Sequence, residues 1–102
     1  MAIIEVSVIP LGTGSPSVSR YVAETERVLQ RETDIKYELT AMGTIVEGEL
    51  EILLALVRKM HRTILDMAGV MRVVTTVKID ERRDKETSIS GKVAAVKKRL
   101  ES

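Results

Sequence analysis

Ile35-Lys36-Tyr37-Glu38-Leu39-Thr40-Ala41-Met42-Gly43-Thr44-Ile45-Val46-Glu47-Gly48 is the stretch that decides the fold. Ile35, Tyr37 and Leu39 alternate with Lys36, Glu38 and Thr40, the period of a half-buried strand over residues 35–41. Met42-Gly43 supplies a turn, and a second strand over residues 44–48 sets Thr44 and Val46 opposite Ile45 and Glu47. The chain therefore has a β-hairpin at its centre, and what flanks the hairpin on each side fixes the class.

Upstream, Ile4, Val6 and Val8 alternate with Glu5 and Ser7, a strand over residues 3–9 that Pro10 is expected to end. Ser15 offers a helix N-cap with Pro16 at the first helical position, where a missing N–H costs nothing, and Val18, Val22, Thr25 and Leu29 then share one helix face. Downstream, Leu50, Leu53, Leu54, Val57, Met60, Ile64 and Leu65 follow a helical stripe that Gly69 is placed to end. A fourth strand over residues 71–79 puts Met71, Val73, Thr75, Val77 and Ile79 on one side. After a charged turn over residues 80–86, a last helix over residues 89–100 is expected to be held by Ile89, Val93, Val96 and Leu100.

The order strand-helix-strand-strand-helix-strand is the split βαβ arrangement. It predicts an α+β, ferredoxin-like sandwich: a four-stranded antiparallel sheet with helices on one face, plus a C-terminal helix. No repeat, linker or low-complexity tract divides residues 1–102, so a single domain is expected. Alternation sends Glu5, Ser7, Glu38, Thr40, Glu47, Arg72, Thr76 and Lys78 to the face away from the helices. That mixture of charges and hydroxyls suits a polar pocket or a wet interface, and equally the solvated face of an ordinary antiparallel sheet.

Composition narrows the function. Apolar residues make up 44% and charged residues 30% of the 102, a globular balance, and 16 basic against 15 acidic groups leave a formal charge of +1. Phosphate backbones demand a net basic face, so nucleic acid is not the expected partner. Phe and Trp are absent and only Tyr21 and Tyr37 are aromatic, which removes base-stacking platforms. The absence of cysteine excludes disulfides, thiolate catalysis and thiolate metal sites, and the chain reads as cytoplasmic. No apolar run is long enough for a bilayer span, so no membrane partner is expected.

Each chemical motif has a bland and a functional reading. Gly12-Thr13-Gly14-Ser15 before a helix is a tight connection or an anion cradle, though it lacks the lysine and spacing of a P-loop. Glu49 and Glu51 fall where a helix begins and suit its dipole. Glu47 belongs to the strand, beside Gly48, which permits close approach. His61 is the only histidine and has no second ligand at metal spacing, so a packed or surface role fits it best and no metal site is expected. No G-x-S-x-G elbow is present, and no acid/base pair stands out, so the chain is not expected to be an enzyme.

Val8-Ile9-Pro10-Leu11-Gly12-Thr13-Gly14-Ser15-Pro16-Ser17 leading to Tyr21-Val22-Ala23, the segment Met42-Gly43-Thr44-Ile45-Val46-Glu47, and the ending Thr75 to Asp84 together resemble the YkoF-like thiamine-binding family of small ferredoxin-fold proteins, over nearly the whole chain. The resemblance implies a non-enzymatic binder of thiamine or its hydroxymethylpyrimidine moiety and a homotetramer built from dimers. It also implies a site near the polar sheet face in which Glu47 accepts the ligand's amino group, Thr44 and Ser7 trim the pocket and Thr13 closes it. The competing class is a structural or regulatory ferredoxin-like module whose sheet edge and polar face serve oligomerisation, with the pocket a remnant or tuned to a different small ligand. No cofactor is expected in either case.

Overall fold

The computed structural model describes residues 1–102. Its elements are β1 (Ala2–Leu11), α1 (Ser19–Gln30), β2 (Lys36–Leu39), β3 (Thr44–Gly48), α2 (Leu50–Leu65), β4 (Arg72–Asp80) and α3 (Ile89–Leu100). The strands form one sheet in the order β2-β3-β1-β4, antiparallel throughout. The fold is thus the α+β, ferredoxin-like one that the element order predicts.

Register fixes the two faces. Ile4 lies opposite both Val46 and Ile79, and Val6 opposite both Thr44 and Val77, so these positions share the face that α1 and α2 cover. A slip of one residue would turn all of them outward, which the burial of the face forbids. Ile4, Val6 and Val46 meet Leu29 of α1 and Leu53, Met60 and Ile64 of α2, and all seven are essentially sealed from solvent. Each such side chain contributes about 1.5–3 kcal/mol relative to exposure. The opposite face carries Glu5 across from Lys78, whose ammonium lies 3.7 Å from the carboxylate.

Several boundaries differ from the sequence expectation for identifiable reasons. β1 runs through Pro10 to Leu11, with Pro10 paired to Val73. Pairing with β3 has already stopped at Val6, so β1 is an edge strand on that flank, where proline is tolerated. α1 begins at Ser19 rather than near Ser15, because Gly12 (φ 75°) and Gly14 (φ 82°) hold the preceding loop in the left-handed region. Ser15 caps that loop instead, its Oγ accepting the Ser17 N–H at 3.1 Å. β2 is short and exposed along its length: Tyr37 and Leu39 lie on the helix-covered face, yet the helices do not reach this edge. On α2, Leu56 rather than Leu54 completes the buried stripe, and the helix ends at Leu65, before the left-handed turn at Gly69.

The largest correction concerns α3. Ile89, Val93, Val96 and Leu100 do not dock on the core, and no residue of α3 is buried. The helix is held by its first turn: the Ser88 hydroxyl oxygen accepts the Gly91 N–H at 2.9 Å, the Glu47 carboxylate accepts the Ile89 N–H at 3.0 Å, and Lys92 lies 2.7 Å from Asp80. The rest of the helix extends from a molecule measuring 50 × 28 × 20 Å.

Candidate functional site

The hairpin that decides the fold also opens the site. Its turn is tightened by the Thr40 N–H and hydroxyl, both donating to the Gly43 carbonyl at 2.8 Å, and by the Met42 N–H donating to the Thr40 hydroxyl oxygen at 3.2 Å. Gly43 suits this close approach, because a Cβ would stand 3.1 Å from the Val6 carbonyl oxygen, tighter than an ordinary contact. Past this turn the flank of β1 has no strand beside it, and α1 crosses above. A cavity of about 450 Å³ results, bounded by the β1 flank, α1, the hairpin turn and Met60 of α2.

Its walls are mostly aliphatic, and one end is polar. Thr44, 3% exposed, donates its hydroxyl to Glu26 Oε2 at 3.0 Å. The other carboxylate oxygen, Glu26 Oε1, is sealed from solvent and has no hydrogen-bond partner. Burial raises the Glu26 pKa above the ordinary carboxylate value, and the hydrogen bond from Thr44 works in the opposite direction. Glu26 is the only titratable side chain in the lining. Such an arrangement can seat a small, largely apolar molecule and present a carboxyl group and a hydroxyl to one polar edge of it. No group of three or more His, Asp or Glu side chains converges to hold a metal ion.

The four residues that the sequence points to are not brought together. Thr44 lies inside the cavity. Ser7 borders it, but strand alternation turns its side chain to the opposite face and leaves its main chain to the cavity. Thr13 lies outside, its hydroxyl donating to the Ser15 carbonyl at 3.2 Å. Glu47, three residues beyond Thr44, occupies the opposite face of β3, where it is 7% exposed and bound to the α3 terminus. The cavity therefore lies between the sheet and α1, whereas Glu47 stands on the polar sheet face.

Glu26 is the residue that sequence reasoning missed. Val18, Val22 and Glu26 recur at every fourth position of α1, so a carboxylate in step with an apolar stripe was the available signal. His61 is a packed histidine, its Nδ1 2.6 Å from the Thr75 hydroxyl. In the charged turn Arg82 Nε lies 2.6 Å from Asp84 Oδ1, and this hydrogen bond holds the exposed Asp84 carboxyl down to about 2.

A family model described as thiamine-binding protein matches residues 4–97. The UPF0045 protein YqgV of Bacillus subtilis is 45% identical over 104 residues, covering 99% of each chain. The crystal structure of protein MJ1052 from Methanocaldococcus jannaschii superimposes with a TM-score of 0.86 at 44% identity, covering 94% of this chain and 95% of that one. A Thermotoga maritima protein for which a thiamine biosynthesis or salvage role has been suggested shares the fold, with a TM-score of 0.77 at 22% identity over 93% of this chain and 97% of its own.

Proposed function

We propose, from the premise that this chain belongs to the thiamine-binding protein family, that it binds thiamine or its hydroxymethylpyrimidine moiety in the cavity beneath α1 and releases it unchanged. The observation that carries the reading is the aliphatic cavity with the hydrogen-bonded pair of half-buried Glu26 and buried Thr44 at one end. Its volume, about 450 Å³, falls in the range of small-molecule pockets. With no Phe or Trp in the chain, the rings would pack on aliphatic groups such as Val6 and Val22 and on Met60. Apart from Glu26 the lining is aliphatic or hydroxyl-bearing, which supports binding rather than chemistry. In this reading Thr44 and the main chain at Ser7 contact the ligand, while Glu47 keeps its bond to Ile89 and Thr13 stays outside.

Calorimetric titration of both compounds into the wild type and into Ala23→Trp tests the proposal. Ala23 borders the cavity from an exposed helical position, so tryptophan there obstructs the site without entering the core. Saturable binding by the wild type and loss of at least about tenfold in affinity in the variant are expected, with unchanged melting. No heat with either compound in the wild type would refute the reading.

The same molecule exposes Val93, Val96 and Leu100 on α3 and Val74 and Ile79 on β4. These surfaces support self-association, with a homotetramer as part of the proposal, since apolar faces left by an open sheet and a free helix are what a second copy covers. No helix is long and apolar enough to cross a membrane. A monomeric mass by light scattering at micromolar concentration would reject the assembly.

A further inference from the structure

The polar end of the cavity holds one acceptor more than the fold uses. A carboxylate oxygen cut off from water and left without a donor carries an uncompensated desolvation cost. Glu26 Oε1 is in that position while Oε2 already receives the Thr44 hydroxyl. The terminal torsion of a glutamate is broad and soft, so the carboxyl group can turn as a unit toward a donor arriving in the cavity, and each of its oxygens has lone pairs enough to accept a second hydrogen bond.

The surroundings supply no counter-charge. β1, β2, β3 and the hairpin turn present Val6, Val8, Leu39, Met42 and Thr44 to the cavity, and α2 presents Met60. On α1 itself Glu24 and Arg27 pair with each other, and Arg20 lies over the Tyr21 ring at 5.0 Å. Glu5, Lys36, Glu38 and Lys78 of the strands occupy the opposite face of the sheet, and Lys59 of α2 lies 3.6 Å from Glu32. Compensation for a charged Glu26 has to come from the ligand or from a proton.

We propose, building on the binding reading above, that Glu26 selects a ligand carrying a cyclic amidine edge, a ring nitrogen beside an exocyclic amino group, and that each ligand is bound together with one proton. The amino group donates to one carboxyl oxygen. The second hydrogen bond joins the other oxygen to the ring nitrogen and contains the proton, whether written as carboxylic acid with neutral ring or carboxylate with protonated ring. In both forms a free carboxylate, a neutral amidine and a proton from the buffer give the complex, so charge balances and no covalent bond is made. The raised proton affinity that burial gives Glu26 works in the same direction. Thr44 orients the carboxyl and contributes to selectivity through that group.

Hydroxymethylpyrimidine titrated calorimetrically in phosphate and in Tris, between about pH 6 and pH 9, reads the proton directly, because the two buffers differ in ionisation enthalpy. About one proton taken up per site is expected at the alkaline end, with affinity falling about tenfold per pH unit above the free groups' ionisation. Glu26→Gln presents an amide N–H and carbonyl to the same edge without a titrating proton. It is expected to bind without proton uptake and with flat pH dependence, and Glu26→Ala to lose at least about tenfold in affinity. Wild-type binding without proton uptake, or a Glu26→Gln variant that keeps the wild-type pH slope, would overturn this inference and leave the binding reading standing. No binding to the wild type at any pH would remove both.

Discussion

Replacing Glu47 with alanine removes the carboxylate that ties α3 to the sheet. In the wild type Glu47 Oε1 accepts the Ile89 N–H at 3.0 Å from a position 7% exposed, and the negative charge faces the positive end of the helix. A hydrogen bond to a charged group is worth about 1.5–3 kcal/mol and the helix-dipole interaction about 0.3–1 kcal/mol, so the loss is about 2–4 kcal/mol. α3 buries none of its 12 residues, a length at which an isolated helix is marginal in water. The loss should therefore fall on α3 alone and leave the sheet and the other two helices in place. Amide hydrogen exchange followed by mass spectrometry is the assay. Protection across α3 should drop at least about 30-fold in Glu47→Ala, the equivalent of about 2 kcal/mol. Glu47→Gln keeps an acceptor and loses only the charge, so its protection should stay within about fivefold of wild type. Undiminished α3 protection in Glu47→Ala, or a drop of equal size in β1 and β3, would refute the reasoning.

Glu26 should lower the stability of the empty protein at neutral pH. Its folded pKa is raised by burial, so the folded state binds the proton more tightly than the unfolded chain; the stabilisation is complete below the ordinary carboxylate value of 4.5 and is lost as pH rises through the higher folded value. Glu26→Gln should consequently melt higher than wild type near pH 8, by less than about 1 kcal/mol because a half-buried group is partly screened, with the gap closing toward pH 4. Melting curves across that range check it, and a gap that widens in acid would contradict it. Leu53→Ala should cost about 2–5 kcal/mol in urea unfolding, since Leu53 is fully enclosed between α2 and the sheet. A loss under about 1 kcal/mol would show that α2 closes over the cavity so formed.

Periodicity was enough to place every strand and helix to within a few residues, because alternation and the helical stripe are properties of neighbouring positions. It also sorted the sheet faces correctly: Glu5, Ser7 and Glu47 all point away from α1 and α2. Element ends were harder to read. Where β1 stops depends on which flank still has a neighbour at Pro10, and where α1 begins depends on two left-handed glycines upstream. The Met42-Gly43 turn was legible, but nothing local says that this turn leaves the rest of β1 uncovered.

The candidate site shows the same division. Thr44 stood out because its segment is built of small hydroxyl-bearing residues, and the family resemblance drew Glu47 in beside it. On a strand, residues three apart face opposite ways, so Thr44 and Glu47 could not share a pocket on one face. The partner that Thr44 does have is Glu26, 18 residues earlier on α1, and only the packing of that helix across the sheet brings the two to 3.0 Å. Short-range pattern and residue identity were enough for the element types, the inward face of β1, most of the buried stripe of α2 and the family, but not for α3, whose apolar stripe stays exposed. The tertiary structure alone decided which carboxylate enters a cavity and which becomes a helix cap, because burial and an unmatched oxygen are properties of contacts between distant segments.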